Sequence, residues 1–425
     1  MSAPSEAPST SPSTSTSPLS PNPSNAAPPR HPPLRRTPPT RLHLDIPPND
    51  EPSKNDPSRA RPQPTTLRSH SDQAGIPRLP KRHNLGNGRR DCTQPLGVPM
   101  KRVLLLHTGG TLGMTGEPLE PNAYSQALTD AVPELNELAE IDTEIVFNLD
   151  SSDIGPEHWT TLTDKIAEHY DDYDGFVIVH GTDTMAYSAS ALAYSLAGLD
   201  KPVVLTGAQR PLAALRTDAR RNLADAVELA TCDIPEVGIC FDGLLLRGCC
   251  STKSNARDYR AFDSPGISPL ARLGVDIDVA DHVLHRNEPF APDARFDNHV
   301  LAVHMTPGFN PRLFELMLEA EDHPHGIVLA AFGAGTVPTA KRSLAPTVEK
   351  AVGLGIEVLV ITQAYGLVDL SLYQNSRKLA EVGAVSGGRM TVEAAVPKLM
   401  HALAIYDDAE ARRAYLQRNV AGELG

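Results

Sequence analysis

Two threonines in this 425-residue chain stand where a strand is expected to run into a glycine turn. Thr111 ends a Thr-Gly-Gly-Thr segment that follows the apolar run Val103–Leu106. Thr182 lies in a His-Gly-Thr-Asp segment that follows the apolar run Phe176–Val179. A threonine hydroxyl acts as a nucleophile when a neighbouring base or a polarising network activates it. Glycine turns also free backbone N–H groups that can stabilise an oxyanion.

Two further polar segments follow predicted strands. Asp150, Ser151 and Ser152 come directly after one apolar run, and Ala208 follows Gly207 after another. Ligands of open parallel sheets bind outside the carboxyl ends of the strands. We therefore expect the four segments to converge on one cleft that holds hydroxyls, carboxylates and freed N–H groups.

Lys253 lies in a polar stretch after a predicted hairpin and is expected to reach the same cleft, beside Asp183. This set of groups favours acyl transfer over simple binding of a small molecule. A structural alternative stays open, because a Gly-Gly-Thr or Thr-Asp-Thr segment also makes a good helix cap. The spacing of histidines and cysteines indicates no metal site, and His323-Pro-His325 is interpreted as a surface loop. We predict no cofactor.

Strands and helices are expected to alternate from Met100 onward, which predicts an α/β fold with a mainly parallel sheet covered on both faces. A larger N-terminal flavodoxin-like domain is predicted over residues 100–285. A polar, Pro-rich linker over 286–299 separates it from a smaller C-terminal α/β domain over 300–425. That second domain is expected to contain the strand Glu357–Thr362, preceded by a helix over Thr339–Val352.

Residues 1–99 differ in composition from the rest and hold 22 of the 39 prolines. Such a Pro-, Ser- and Arg-rich segment buries too little apolar surface to offset its ordering entropy, so we expect it to be disordered. It is either a basic tail that binds a partner or directs import, a tail without function, or translated sequence upstream of a true start at Met100.

Charge and cysteine usage restrict the partners and the compartment. Residues 1–99 carry 13 Lys+Arg and 7 Asp+Glu, a net charge of +6, which leaves −19 for residues 100–425. An acidic body of this kind is a poor nucleic-acid binder. The five cysteines form no disulfide framework, and neither a membrane span nor a secretory signal is evident. We predict a cytoplasmic protein that binds neither nucleic acid nor membrane.

The motifs resemble those of the bacterial-type L-asparaginases, most closely the cytoplasmic type I group. The resemblance spans residues 101–425. It rests on two signature segments and three supporting ones: Thr108-Gly-Gly-Thr-Leu-Gly113, His180-Gly-Thr-Asp-Thr-Met185, Asp150-Ser-Ser-Asp153, Thr206-Gly-Ala-Gln-Arg-Pro211 and Ser251-Thr-Lys253. It implies hydrolysis of L-asparagine to L-aspartate and ammonia without metal or cofactor, by a homodimer or homotetramer.

The resemblance also implies a role for each candidate residue. Thr111 matches the nucleophile that forms an acyl-enzyme, and Thr182, Asp183 and Lys253 match a second catalytic triad. The segment of Asp150, Ser151 and Ser152 matches the one that holds the α-carboxylate and α-amino groups of the substrate, with Asp183 also facing the amino group. The backbone carbonyl of Ala208 matches an acceptor for the substrate amide. Because a carboxylate favours charged lysine, Lys253 is expected to polarise or relay a proton rather than act as the base.

One departure and two alternatives accompany this interpretation. The loop after the first motif, residues 114–121, lacks the tyrosine that often orients the nucleophile, and Tyr124 is the nearest one. An asparaginase that leans towards glutamine is one alternative, because a methylene is weakly discriminated. An ammonia-supplying component of a tRNA-dependent amidotransferase is the other. A non-catalytic binder on the same fold is disfavoured, since all the expected catalytic residues are present.

Overall fold

The computed structural model describes residues 99–115, 120–121 and 131–425. The predicted tail, apart from its last residue, lies outside the described residues, as does Tyr124. None of the described helices is both long and apolar enough to cross a bilayer.

The strands, in chain order, are β1 (Arg102–Gly109), β2 (Met114–Thr115), β3 (Glu120–Pro121), β4 (Glu140–Leu149), β5 (Gly175–Val179), β6 (Val203–Thr206), β7 (Val237–Phe241), β8 (Leu244–Arg247), β9 (Thr252–Lys253), β10 (Phe262–Asp263), β11 (Ala271–Leu273), β12 (Ile277–Val279), β13 (Val300–His304), β14 (Gly326–Ala331), β15 (Glu357–Thr362) and β16 (Val385–Ser386). The described α-helices are α1 (Pro156–Glu168), α2 (Met185–Ser195), α3 (Ala219–Leu229), α4 (Pro311–Leu318), α5 (Ala345–Gly353), α6 (Gln374–Glu381), α7 (Val392–Ile405) and α8 (Ala409–Gln417).

The first sheet has the strand order β12-β11-β8-β7-β6-β5-β1-β4. Its five strands from β4 to β7 are parallel, in the flavodoxin-like order 2-1-3-4-5. The three strands at the other edge are antiparallel to their neighbours. The predicted α/β class is therefore confirmed, with an antiparallel extension that the sequence did not predict beyond the first hairpin.

Burial on both faces explains why the central strands are continuous apolar runs. Along β1, Leu104 and Leu106 face one apolar core, whereas Val103 and Leu105 face a second core on the opposite side. Helices cover both faces, so alternate side chains of a strand are equally dry. The carboxyl ends of β1, β4, β5 and β6 consequently lie along one edge of the sheet.

The hairpin of β7 and β8 turns at Asp242 and Gly243, both with positive φ (50° and 73°). Two residues in this conformation make the type I′ turn whose twist suits a two-residue hairpin. The chain then passes through a 3-10 helix, Gly248–Cys250, to β9. The hairpin thus brings Lys253 back towards the parallel strands.

The second sheet is four-stranded and wholly parallel, in the order β13-β14-β15-β16. Apolar cores lie on both of its faces. The helix predicted over Thr339–Val352 begins only at Ala345, because Pro346 fits the first turn of a helix but not its interior. The sequence analysis also missed α6 and the short strand β16.

Candidate active site

Glycine contacts bring the four strand-end segments together. A Cβ placed on Gly110 would lie 2.5 Å from the Cα of Gly181, and one placed on Gly181 would lie 2.6 Å from the Oγ of Ser151. A Cβ on Gly207 would lie 2.4 Å from the backbone oxygen of His180. Since a side chain fits at none of these positions, glycine permits the turns to meet along the carboxyl edge of the sheet.

The turn that carries Thr111 is tied to both neighbouring strands. The Thr108 hydroxyl donates to the backbone oxygen of Val179 at 2.8 Å, and the Gly110 N–H donates to that of Leu149 at 3.3 Å. Thr111 then starts a 3-10 turn, partly exposed. Its hydroxyl has no hydrogen-bond partner among the residues that the structure describes. The backbone therefore fixes the position of Thr111 at the carboxyl edge of the sheet.

Lys253 joins the second threonine segment. Its ammonium donates to Thr182 Oγ1 at 2.7 Å and to Asp183 Oδ1 at 2.5 Å. The Lys253 side chain is 16% exposed, whereas that of Asp183 is 67% exposed. The structure thus assembles Thr182, Asp183 and Lys253 into one hydrogen-bonded group, in which the Asp183 carboxylate is exposed to solvent.

The segment after β4 contacts this group through its backbone and one hydroxyl. The Asp183 N–H donates to Ser151 Oγ at 3.3 Å, and the Thr184 hydroxyl donates to the backbone oxygen of Ser151 at 2.6 Å. Ser151 is buried, but Ser152 is exposed. Ser151 is therefore a direct neighbour of the lysine group.

Asp150 caps the short 3-10 helix that follows it. Its Oδ1 accepts hydrogen bonds from the N–H of Ser152 at 2.8 Å and from the Ser152 hydroxyl at 2.7 Å. These two bonds, the backbone one first, lower the pKa of the Asp150 carboxyl below its usual range. The carboxylate is therefore anionic at neutral pH and suits a cationic group of a ligand.

The segment after β6 is fixed by Asn222 and Asp218 of the following helix region. The Asn222 side-chain amide donates to the backbone oxygen of Gly207 at 3.0 Å, and the Gln209 N–H donates to Asp218 Oδ2 at 2.9 Å. Ala208 lies between these anchors and is buried. Its backbone is consequently held rigidly beside the threonine turns.

The sequence analysis missed a buried chain of hydrogen bonds behind Thr182. The Trp159 indole N–H donates to Ser188 Oγ at 3.0 Å, which lies 2.9 Å from His180 Nε2. His180 Nδ1 lies 2.7 Å from the backbone oxygen of Gly181. One arrangement satisfies all three contacts: the serine hydroxyl donates to Nε2, and Nδ1–H donates to Gly181. Burial lowers the pKa of His180 to about 4, which keeps this neutral tautomer.

A contact from the second domain also escaped the sequence analysis. The Thr252 hydroxyl donates to Glu393 Oε1 at 2.6 Å. Glu393 lies in the first turn of α7, where a carboxylate is favoured by the helix dipole. Thr252 precedes Lys253 in β9, so this bond helps to fix the strand that presents the lysine. The acidic residue after Thr391 is a sequence signal for a helix start, but nothing local indicates its partner.

Comparisons with known families identify two family domains in the chain. The family model described as "Asparaginase, N-terminal" matches residues 102–285, and the model described as "Glutaminase/Asparaginase C-terminal domain" matches residues 299–416. The chain belongs to the asparaginase family. It is an enzyme of the amidohydrolase class, as the asparaginase relatives are.

Individual members of the family cover most of the chain. L-asparaginase 1 from Escherichia coli (strain K12) is 35% identical in an alignment 340 residues long that covers 76% of this chain and 98% of that protein. The solved thermostable L-asparaginase from Thermococcus kodakarensis has a TM-score of 0.72 at 35% identity, over 76% of this chain and 99% of that one. A glutamyl-tRNA(Gln) amidotransferase component from Pyrococcus abyssi is 32% identical, over 77% of each chain.

Replacing Gly110 by Ala is expected to destabilise the protein and to abolish turnover. Gly110 has φ of +86°, which costs a non-glycine residue about 1–2 kcal/mol. The added methyl group would also collide with backbone atoms of Gly181, which cannot move aside without opening the cleft. Gly353→Ala is the matched control, because no atom lies within 4 Å of a Cβ there. Chemical denaturation and activity measurements on both variants check this, and a wild-type profile for Gly110→Ala would contradict it.

His180 is expected to make the protein acid-sensitive. Between pH 6.5 and pH 4 the unfolded chain binds a proton on this histidine that the folded chain does not, so stability falls as the pH falls. The loss through this residue amounts to about 3 kcal/mol of unfolding free energy. Urea denaturation across that range is expected to give a shallower pH dependence for His180→Gln than for wild type or for the exposed-site control His282→Gln. Equal slopes in all three proteins would refute the assignment.

Proposed function

We propose that the chain hydrolyses L-asparagine to L-aspartate and ammonia, with Thr111 as the nucleophile. The observation that carries this proposal is the Lys253 ammonium, bonded to Thr182 and Asp183 at the edge where the Thr111 turn meets the same segment. The identity of 35% to an L-asparaginase over three quarters of the chain supports the choice of substrate.

The reaction proceeds in two acyl transfers. The Thr111 oxygen attacks the side-chain amide carbon of the substrate, its proton passes to the amide nitrogen, and the carbon–nitrogen bond breaks to release ammonia. A water molecule then attacks the resulting ester. Cleavage of that ester returns the proton to Thr111 and releases L-aspartate.

Lys253 acts on this reaction as a polarising group. An ammonium that donates to a carboxylate has no lone pair with which to accept a proton, so it cannot be the base. Because Thr182 Oγ accepts from Lys253, the hydroxyl hydrogen of Thr182 is directed to another acceptor. We place that acceptor in the cleft, as the attacking water or a substrate oxygen.

The substrate's charged ends find complementary groups nearby. The anionic Asp150 and the exposed carboxylate of Asp183 suit the α-ammonium group, and the Ser151 hydroxyl can donate its hydrogen to the α-carboxylate. Ser152 acts through its two hydrogen bonds to Asp150, which hold that carboxylate in place. The carbonyl of Ala208 is assigned to accept a hydrogen bond from the substrate amide. Such contacts hold the reacting carbon near Thr111, which lowers the entropic cost of attack.

We further propose a cytoplasmic homodimer or homotetramer. Four apolar side chains of one loop, Tyr365, Leu367, Leu372 and Tyr373, are each more than half exposed, as expected of a surface that contacts a second copy. The cysteines do not decide the compartment, because Cys249 is a buried free thiol whereas Cys232 is disulfide-bonded. The location is proposed from the likeness to a solved probable cytoplasmic L-asparaginase of Campylobacter jejuni.

Thr111→Ala is expected to lower kcat for asparagine at least about 10³-fold, because the nucleophile is removed while its backbone support remains. Thr111→Ser retains a hydroxyl and is expected to keep part of the activity. Thr161→Ala, an exposed position in α1, serves as the control and is expected to match wild type. Ammonia release gives the rates, and mass spectrometry after rapid quenching should detect the acyl-enzyme in wild type and in Thr161→Ala but not in Thr111→Ala. A Thr111→Ala enzyme near the wild-type rate would exclude this nucleophile.

Asparagine is expected to be preferred over glutamine by about 10–200-fold in kcat/KM, the range that one methylene typically supplies. Ammonia release from each amino acid, measured on the full chain and on residues 100–425, tests this preference. A ratio below one would identify a glutaminase. Ammonia release that requires a tRNA-dependent partner would instead support the amidotransferase role suggested by the match to the Pyrococcus abyssi protein.

A further inference from the structure

Three metal-ligating side chains meet outside the cleft, at the amino end of the second sheet. The donor atoms of Asp297, His299 and His325 all lie within 4.8 Å of one another. His299 Nδ1 lies 3.0 Å from Asp297 Oδ1, and His325 Nδ1 lies 2.6 Å from Asp297 Oδ2. The two imidazole rings stack with their centroids 4.5 Å apart. A single carboxylate therefore bridges two imidazoles.

Backbone hydrogen bonds hold all three residues in place. The Asp297 N–H donates to the oxygen of Met400 at 2.9 Å, and the His325 N–H donates to the oxygen of His299 at 2.8 Å. The His299 N–H donates to Asp297 Oδ1 at 2.8 Å. The side chains thus project from fixed points on two segments that are distant in sequence, which limits the entropy lost when a ligand draws them together.

The charge and exposure of the cluster suit a hydrated cation. The Asp297 side chain is 20% exposed, whereas those of His299 and His325 are 45% and 49% exposed. An exposed carboxylate oxygen of Asp322 lies 3.7 Å from His299 Nε2 and adds negative charge.

The arginine that lines the same cavity as the cluster is already engaged elsewhere. Arg412 lines the same cavity of about 180 Å³ as Asp297 and His325. Its guanidinium, however, donates to Glu357 at 3.4 Å and to the backbone oxygen of Asp407 at 3.0 Å. Arg412 therefore does not neutralise the bridging carboxylate of Asp297.

We propose that Asp297, His299 and His325 bind one divalent transition-metal ion of the Zn²⁺, Ni²⁺ or Co²⁺ type. Two imidazole nitrogens and one carboxylate oxygen are the donors these ions prefer, and hard ions such as Mg²⁺ favour an all-oxygen set. Ligands about 2.0–2.2 Å from a tetrahedral ion lie roughly 3.4 Å from one another. The Asp297–imidazole separations of 2.6 and 3.0 Å are shorter than that value, and all the donor atoms lie within 4.8 Å of one another, so binding needs only small side-chain rotations. The ion replaces the shared protons, and water completes its coordination.

The ion acts on stability rather than on turnover. It joins the segment entering β13 to the loop entering β14, and none of its ligands belongs to the group of Lys253, Thr182 and Asp183. A ligand that binds the folded chain alone raises the unfolding temperature by mass action. We therefore expect a metal-dependent gain in thermal stability with kcat unchanged. The sequence interpretation of His323-Pro-His325 as a surface loop fits the loop position of His325, but its partners come from elsewhere in the chain.

The test compares tag-free full-length wild type with His299→Ala, His325→Ala and the double variant, with the exposed His282→Ala as control. Isothermal titration with ZnCl₂ is expected to show a saturable site in wild type and in His282→Ala. Each single ligand variant should weaken it by more than the roughly 10–100-fold that loss of an outer-sphere hydrogen bond costs. The double variant should lose it. All five proteins share the histidines of residues 1–98, so any difference in Zn²⁺ binding among them arises from the substituted residues.

Two further readouts keep the outcome clear. Co²⁺ absorption should show d–d bands in wild type that the double variant lacks, and the unfolding temperature should rise with Zn²⁺ in wild type and return on chelation. Circular dichroism and ammonia release without added metal verify that the variants fold. Equal binding by wild type and the double variant, or no saturable binding of Zn²⁺, Ni²⁺ or Co²⁺ to wild type, would overturn the proposal and leave the cluster as a hydrogen-bonded strut.

Discussion

Backbone-to-backbone contact between two glycine turns is the constraint on which the active cleft depends. A Cβ on Gly110 would lie 2.5 Å from backbone atoms of Gly181, and one on Gly181 would lie 2.6 Å from side-chain atoms of Ser151. The turns that carry Thr111 and Thr182 therefore touch, although their strands keep an ordinary sheet spacing. The parallel sheet makes the strands end at the same edge, and the two glycines let the turns after β1 and β5 come into contact. We expect a cleft of this kind to be rigid, because any change in its shape would have to displace buried main chain.

The polar groups of the cleft differ in burial and in charge. His180 is deeply buried and neutral, whereas Asp150 is exposed and anionic. Lys253 is intermediate in burial and is bonded to the exposed carboxylate of Asp183. Burial of the polar groups thus decreases from the sheet interior towards the open edge of the cleft. Under the proposed function, the buried and hydrogen-bonded groups are the ones fixed in place before a substrate binds, as electrostatic preorganisation requires.

Sequence reasoning predicted those features whose causes are local or repeated. The apolar runs of β1 and β5 are buried on both faces, so they predict central parallel strands, and Asp242-Gly243 predicts its hairpin. The short strands β11 and β12 were missed because their partly polar, partly exposed residues carry little of that signal. The bond from Thr252 to Glu393 spans 141 positions and has no local trace. The cluster around Asp297 was missed for the same reason, since its third member comes from another loop.

The Thr252–Glu393 bond has a consequence for how this enzyme can change. The strand that delivers the lysine is braced by the first turn of a helix from the other domain, so the two domains do not divide cleanly into a catalytic part and a scaffold. If the C-terminal half were exchanged for that of a relative, by recombination or by design, the hydrogen bond from Thr252 to Glu393 would be lost unless the new half supplied the same carboxylate. The two halves are thus coupled through this bond, although each has its own sheet and its own apolar cores.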